Sequence, residues 1–163
     1  ETKRTMNIKP GAYYRSPERR EALKQMVKSF VEDPKNNYAK DEYCDRFLNE
    51  LINTETLYPG YGFARSVEAN DGYIHCVLVA QLQENRWYNR CDVAILGLLT
   101  NKKCTPTHIR TLFNTLEQWG IEREAKAIVL NAWRDSPAMD RVMNRIGFKT
   151  LSKNYIREIH YET

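Results

Sequence analysis

The stretch Asp92–Phe148, DVAILGLLTNKKCTPTHIRTLFNTLEQWGIEREAKAIVLNAWRDSPAMDRVMNRIGF, decides the fold. It opens on an apolar run, Cys91 to Leu99, that reads as a strand. Thr105-Pro106 then starts a helix: a Pro at the first helical position has no N–H to waste, and Ile109, Leu112, Phe113, Leu116 and Trp119 follow at helical spacing. This helix is expected to end near Gly120 or a turn later. Ala127 to Leu130 is short and fully apolar, as expected of a strand buried on both faces. Ser136-Pro137-Ala138 caps a last helix to Arg145, which Gly147 stops, and Phe148 to Ile159 suggests one or two final strands.

Upstream, Met6 and Ile8 alternate before Pro10-Gly11 and predict a first strand. Ser16-Pro17-Glu18 is a helix start, with Leu23, Met26, Val27 and Phe30 on one face. Asp33-Pro34-Lys35-Asn36-Asn37 breaks that helix, and a second runs from about Asp41 with Tyr43, Phe47, Leu48, Leu51 and Ile52 together. After the turn Tyr58-Pro59-Gly60, the segments Tyr61–Val67, Tyr73–Leu82 and Cys91–Leu99 predict three consecutive antiparallel strands, the first two joined at Ala69-Asn70-Asp71-Gly72.

With 163 residues and 42% hydrophobic side chains, one domain spanning 1–163 is expected. No run approaches the roughly 18 apolar residues of a membrane span, so a soluble, cytoplasmic protein with no membrane partner is expected. Four cysteines (Cys44, Cys76, Cys91, Cys104) form no CxxC and read as reduced thiols. The net charge of +4 permits an anionic partner without demanding one. His75-Cys76 and Cys104-x-x-x-His108 hold ligand types but make two incomplete pairs, and no metal site is expected.

The order β-α-α-β-β-β-α-β-α-β resembles the Gcn5-related N-acetyltransferase (GNAT) superfamily over essentially the whole chain. The strongest local match is Asn131 with Ala132 to Ala138, closed by Arg145-Ile146-Gly147-Phe148. The resemblance implies an α/β (α+β) fold, with a mixed, mainly antiparallel central sheet and helices on both faces. It also implies acyl transfer, acetyl transfer first, from acetyl-CoA or another acyl-CoA to an amine acceptor of unknown class.

In that family a glycine-bearing loop cradles the cofactor pyrophosphate on backbone amides at a helix N-terminus. Here the equivalent loop, Asn101 to His108, has no glycine, and Lys102 and Lys103 could supply charge instead. Pro106 removes one amide, while those of Thr107, His108 and Ile109 are expected to point outward. The resemblance further implies that the backbone of Ile95 to Leu99, Leu98 and Leu99 included, hydrogen-bonds the pantetheine. The helix start Thr105 to Ile109 would receive phosphate, and Asn131 would orient the arm.

The family's usual acid is a Tyr at the place Met143 occupies, and methionine cannot donate a proton. Tyr155, Ser136 or solvent are the remaining candidates. A base must deprotonate the ammonium; Asp92 is the first choice and Glu68 the second, each of which also reads as an exposed strand-end charge. Arg86-Trp87-Tyr88-Asn89-Arg90 mixes cations and aromatics, a composition that can stack bases and pair phosphates, and equally an ordinary surface hairpin or dimer contact. With Arg65, Lys102, Lys103 and Arg134 it could form a basic rim. Two other readings therefore stay open: a GNAT-like binding or structural module that has lost catalysis, similar to a few phage-encoded relatives, and a nucleic-acid-modifying enzyme. A homodimer paired through a sheet edge or the C-terminal strands is plausible for this fold.

Overall fold

The sheet is built on two consecutive hairpins, with an earlier strand joined to them through two helices and a last one added by a crossover. In the computed structural model, which describes residues 6–32, 41–130, 137–149, 157 and 159, the elements of the larger unit are β1 (Asn7–Pro10), a 3-10 turn (Gly11–Arg15), α1 (Pro17–Glu32), α2 (Asp41–Leu57), β2 (Gly62–Glu68), β3 (Ile74–Asn85), β4 (Arg90–Thr100), α3 (Pro106–Glu122) and β5 (Ile128–Leu130). The strands lie in the order β1-β2-β3-β4-β5. The first four pair antiparallel, and β5 pairs parallel to β4 after the α3 crossover. The segment from Glu1 to Ala132 is one compact unit and Trp133 to Thr163 another. The second contains α4 (Pro137–Arg145), which ends at Gly147 with φ +100°, a left-handed stop that glycine adopts without penalty.

Alternation along the strands sends side chains to two faces. One face takes Ala64, Val77, Val79 and Leu99, which pack with Leu23 and Val27 of α1 and Phe47, Leu48 and Leu51 of α2. The opposite face takes Phe63, whose ring meets Trp119 of α3 edge-on at 5.5 Å. Gly120, expected near the helix end, lies inside α3 because a side chain there would press on Val93, its Cβ 3.1 Å from Cγ2. Close packing, not termination, explains that glycine.

On the α1/α2 face the sheet edge carries a buried polar network. Tyr14 and Ser66 are fully buried and hydrogen-bonded to each other; the Tyr14 hydroxyl also donates to Glu68 at 2.8 Å. Glu68 pairs with Arg19, which also donates to the Gly72 carbonyl at 2.9 Å. Burial, ahead of the neighbouring carboxylate, pushes the Tyr14 phenol well above its ordinary range.

The expectation for β5 needs correcting. Val129 is 39% exposed and its neighbours only half-buried. An all-apolar strand of this length reports β-propensity as much as burial, and among the described residues β5 is the sheet's edge. The final strands expected over Phe148 to Ile159 fall almost entirely outside the described residues.

Candidate functional site

The decisive local geometry is in β4. Val79 lies opposite Gly97 and Ala80 opposite Ile95, so Leu96 is an extra residue, a β-bulge. Leu96 is 52% exposed. The parallel pairing of β4 with β5 covers only Val93, Ala94 and Ile95, opposite Ile128, Val129 and Leu130. From the bulge onward, β4 runs on to Thr100 with no strand beside that edge among the described residues. The bulge lies just where the β5 pairing stops, so the β4 backbone beyond it, Leu98 and Leu99 included, has no β5 partner among the described residues. Such an edge can bind an extended chain carrying amide groups, one strand-like hydrogen bond after another.

Upstream of the bulge, Asp92 is buried, 4% exposed. Because Val93 faces Gly120 of α3, alternation puts Asp92 on the sheet face that carries α1 and α2. Asn85 donates to its Oδ2 at 3.3 Å. Arg90 Nε lies 3.0 Å from Oδ1 without the alignment of a hydrogen bond, so that oxygen keeps its acceptor capacity among the described residues. This differs from an exposed strand-end charge. Glu68, the second base candidate, is instead held by Arg19 and Tyr14 in the network above.

Downstream of β4, the loop into α3 satisfies itself. Asn101 N–H donates to the His75 carbonyl at 2.8 Å, Lys102 N–H to Asn101 Oδ1 at 2.9 Å, and Lys103 N–H to the Tyr73 hydroxyl at 3.2 Å. Cys104 N–H donates to the Asn101 carbonyl at 2.9 Å, and Thr105 N–H to His108 Nδ1 at 2.9 Å. His108 N–H returns to the Thr105 side chain, completing a capping box, and Ile109 N–H goes to the Thr105 carbonyl at 3.3 Å. The expectation of outward amides at His108 and Ile109 is therefore corrected, because Thr105 caps the helix with both its side chain and its carbonyl. Thr107, the remaining amide after Pro106, has no such partner among the described residues. Lys102 and Lys103 are exposed, and Lys103 Nζ lies 5.2 Å from the centroid of the Tyr73 ring.

Two pairings here were not foreseen. The His75 and His108 rings stack at 3.7 Å, tying β3 to the first turn of α3. Cys76, fully buried on β3, and Cys104, part-exposed before α3, are electrostatically linked, each thiol shifting the other's titration. The neighbouring Cys104 thiol, with burial behind it, raises the Cys76 thiol, whereas the neighbouring Cys76, against the opposing effect of burial, lowers Cys104 below the usual range. Cys104 is thus expected to be the first of the four cysteines alkylated by iodoacetamide near neutral pH, as peptide mass mapping would read. In Cys76→Ala its rate should fall severalfold, on the order of the lost thiolate fraction. An unchanged rate would rule out the pairing. No group of three or more His, Cys, Asp or Glu able to hold a metal occurs among the described residues.

The other expected site residues are less convergent. Asn131, Arg134, Ser136 and Tyr155 lie outside the described residues, and Met143 is buried on α4. At the β3–β4 turn, Trp87 is 95% and Tyr88 71% exposed, but Arg90 lies over Tyr88 at 5.1 Å and is turned to Asp92. Arg65 is paired with Glu55. Two cations of the supposed basic rim are thereby engaged within the chain.

The chain was compared with known proteins. No protein-family model and no curated protein matches the sequence. Solved structures do match over nearly the full length. Glucosamine-6-phosphate N-acetyltransferase from Arabidopsis thaliana superposes with TM-score 0.67 at 11% identity, covering 96% of this chain and 99% of its own. The aminoglycoside antibiotic 6'-N-acetyltransferase AAC(6')-Ih from Acinetobacter baumannii gives 0.70 at 12%, covering 97% and 100%. The fold is the GNAT fold. AAC(6')-Iy, in complex with the bisubstrate analogue CoA-S-monomethyl-acetylneamine, gives 0.69 at 12% identity, covering 96% and 99%. At such identities the GNAT likeness is one of fold; residue roles rest on the geometry above. Among the described residues no helix is long and apolar enough to cross a membrane.

Proposed function

We propose that the protein is an acyl-CoA-dependent N-acyltransferase, with acetyl transfer to an amine as the first expectation. The observation that carries this reading is the β4 bulge at Leu96 followed by an edge to Thr100 that is unpaired among the described residues, which fits an extended pantetheine arm and its amides. The solved structures that share the fold support it, one of them in complex with a CoA-linked analogue. The loop before α3 fits the nucleotide end less well, since its amides from Asn101 to Thr105 are spent; the Thr107 amide and the charges of Lys102 and Lys103 are offered there.

In this reading the thioester carbonyl lies at the bulge. Asp92, about 13 Å up the strand at ordinary rise, is beyond the reach of one water and takes the ammonium proton through a chain of several waters. The freed amine attacks the carbonyl, the C–N bond forms, the C–S bond breaks and CoA leaves as thiolate. A thiol of pKa about 8.5 needs little help to depart, so Met143 in place of a proton donor is tolerable. Positioning alone can supply several kcal/mol of the barrier reduction.

Titration calorimetry with acetyl-CoA, followed by thiol release with a panel of amines, tests the proposal. Saturable binding is expected. Asp92→Asn should keep donor affinity and lower turnover by about 10²-fold or more. No heat at millimolar acetyl-CoA would sink it, leaving a GNAT-shaped binding module.

A further inference from the structure

The edge of β4 and the loop before α3 make different offers to a donor. Beyond Leu96 the strand edge is unpaired among the described residues, whereas every amide from Asn101 to Thr105 has a partner inside the chain. These partners are not incidental. Asn101 binds β3 twice, through N–H to the His75 carbonyl and through Nδ2 to the Ile74 carbonyl at 3.1 Å. Tyr73 holds Lys103 N–H, and His108, stacked on His75, holds Thr105 N–H. To turn these amides toward a pyrophosphate, the loop would have to leave β3 and α3 would lose its cap. What stays outward is the one amide of Thr107 and charge without a fixed fork: two exposed lysine ammonium groups, which attract a phosphate but do not measure its shape. Exposed charges of this kind are screened by salt and discriminate poorly between one phosphate and two.

Resting on the acyl-transfer reading above, we infer that the donor is recognised through its phosphopantetheine arm, and that the adenosine nucleotide contributes little. The substrate class is then an S-acyl-4'-phosphopantetheine, whether free, inside acyl-CoA, or attached to a carrier protein. The terminal phosphate meets Lys102 and Lys103, and the arm lies along β4 beyond Leu96.

The test compares dissociation constants for acetyl-CoA, S-acetyl-4'-phosphopantetheine and an acetylated acyl carrier protein on the full chain, by calorimetry at fixed salt. Acetyl-CoA and the free arm should agree within about fivefold, roughly 1 kcal/mol. A larger loss on removing the nucleotide, with acetyl-CoA still bound, overturns the inference and leaves the acyl-transfer reading standing. Binding by none of the three overturns both. Tighter binding of the carrier than of the free arm identifies a carrier as the source, and equal or weaker binding points to a free donor. Lys102→Ala/Lys103→Ala, two exposed changes that should not disturb folding, is expected to weaken acetyl-CoA and the free arm by the same factor. A loss confined to acetyl-CoA would show that the lysines read the nucleotide end, against the proposal.

Discussion

Glu68→Ala is expected to lower the unfolding free energy by about 3 kcal/mol, a loss that urea denaturation would read as a fall in midpoint at unchanged slope. Removing one partner of a buried ion pair typically costs about 3–5 kcal/mol, because the other is left desolvated. The lower end applies here. The Arg19 side chain is 20% exposed and can turn partly to solvent, whereas Glu68 is 3% exposed. Tyr14 cannot escape in that way. Its hydroxyl is fully buried and would keep Ser66 alone. Glu68→Gln keeps the volume and an acceptor for Tyr14, so it should cost less than alanine. The double variant Arg19→Leu/Glu68→Leu should be less destabilised than the two single changes summed, since it leaves no unpaired charge. A loss below about 1 kcal/mol for Glu68→Ala would mean that the network is solvated and contributes as an ordinary surface pair does. The same experiment bears on function, since a residue so engaged is a poor candidate for moving a substrate's proton.

How far the sequence could be read depended on whether a feature is local. Helix starts were legible because they are written in a few adjacent residues: Ser16-Pro17 and Thr105-Pro106 begin α1 and α3 where expected, and α2 begins at Asp41. The three-strand meander was legible from its turns. The candidate site was legible at the strand-to-helix joint, but not in its hydrogen bonding. Lys102 and Lys103 are recognisable as charges. That their amides are taken by Asn101 and Tyr73 depends on where β3 lies, and no spacing in the loop encodes that. The burial of Asp92 and of Glu68 is likewise decided by partners from other turns and elements, Arg90 and Asn85 for one, Arg19 and Tyr14 for the other. Gly97 inside an apolar strand was a usable sign of a bulge or close backbone approach. Gly120 gave the opposite lesson, a glycine near an expected helix end whose reason is the methyl of Val93.

Gly97→Ala is the substitution expected to couple fold and site most directly. An added Cβ would lie 2.7 Å from Phe47 Cε2 and 3.4 Å from Cζ, inside the core that α2 makes with the sheet. Gly97 is not in the left-handed region, so its backbone accepts alanine and the whole cost is steric. Phe47 is 6% exposed, its ring has little room, and overpacking of this kind costs about 1–3 kcal/mol. Either the ring and α2 move away, or β4 shifts and the bulge beside Leu96 changes register. The two responses separate experimentally. If α2 yields, stability falls by about 2 kcal/mol while acetyl-CoA affinity is kept. If β4 yields, affinity falls with stability, because the edge that receives the arm has moved. We expect the second, since among the described residues Leu96 is already unpaired and the strand beyond it is paired on one side only. Phe47→Leu supplies the control: a smaller side chain should relieve the clash, so the double variant recovers most of the affinity and shows a coupling of about 1 kcal/mol or more. Additive losses in that cycle would mean that Gly97 is required for a reason other than Phe47, and that the bulge is not positioned by the α2 packing.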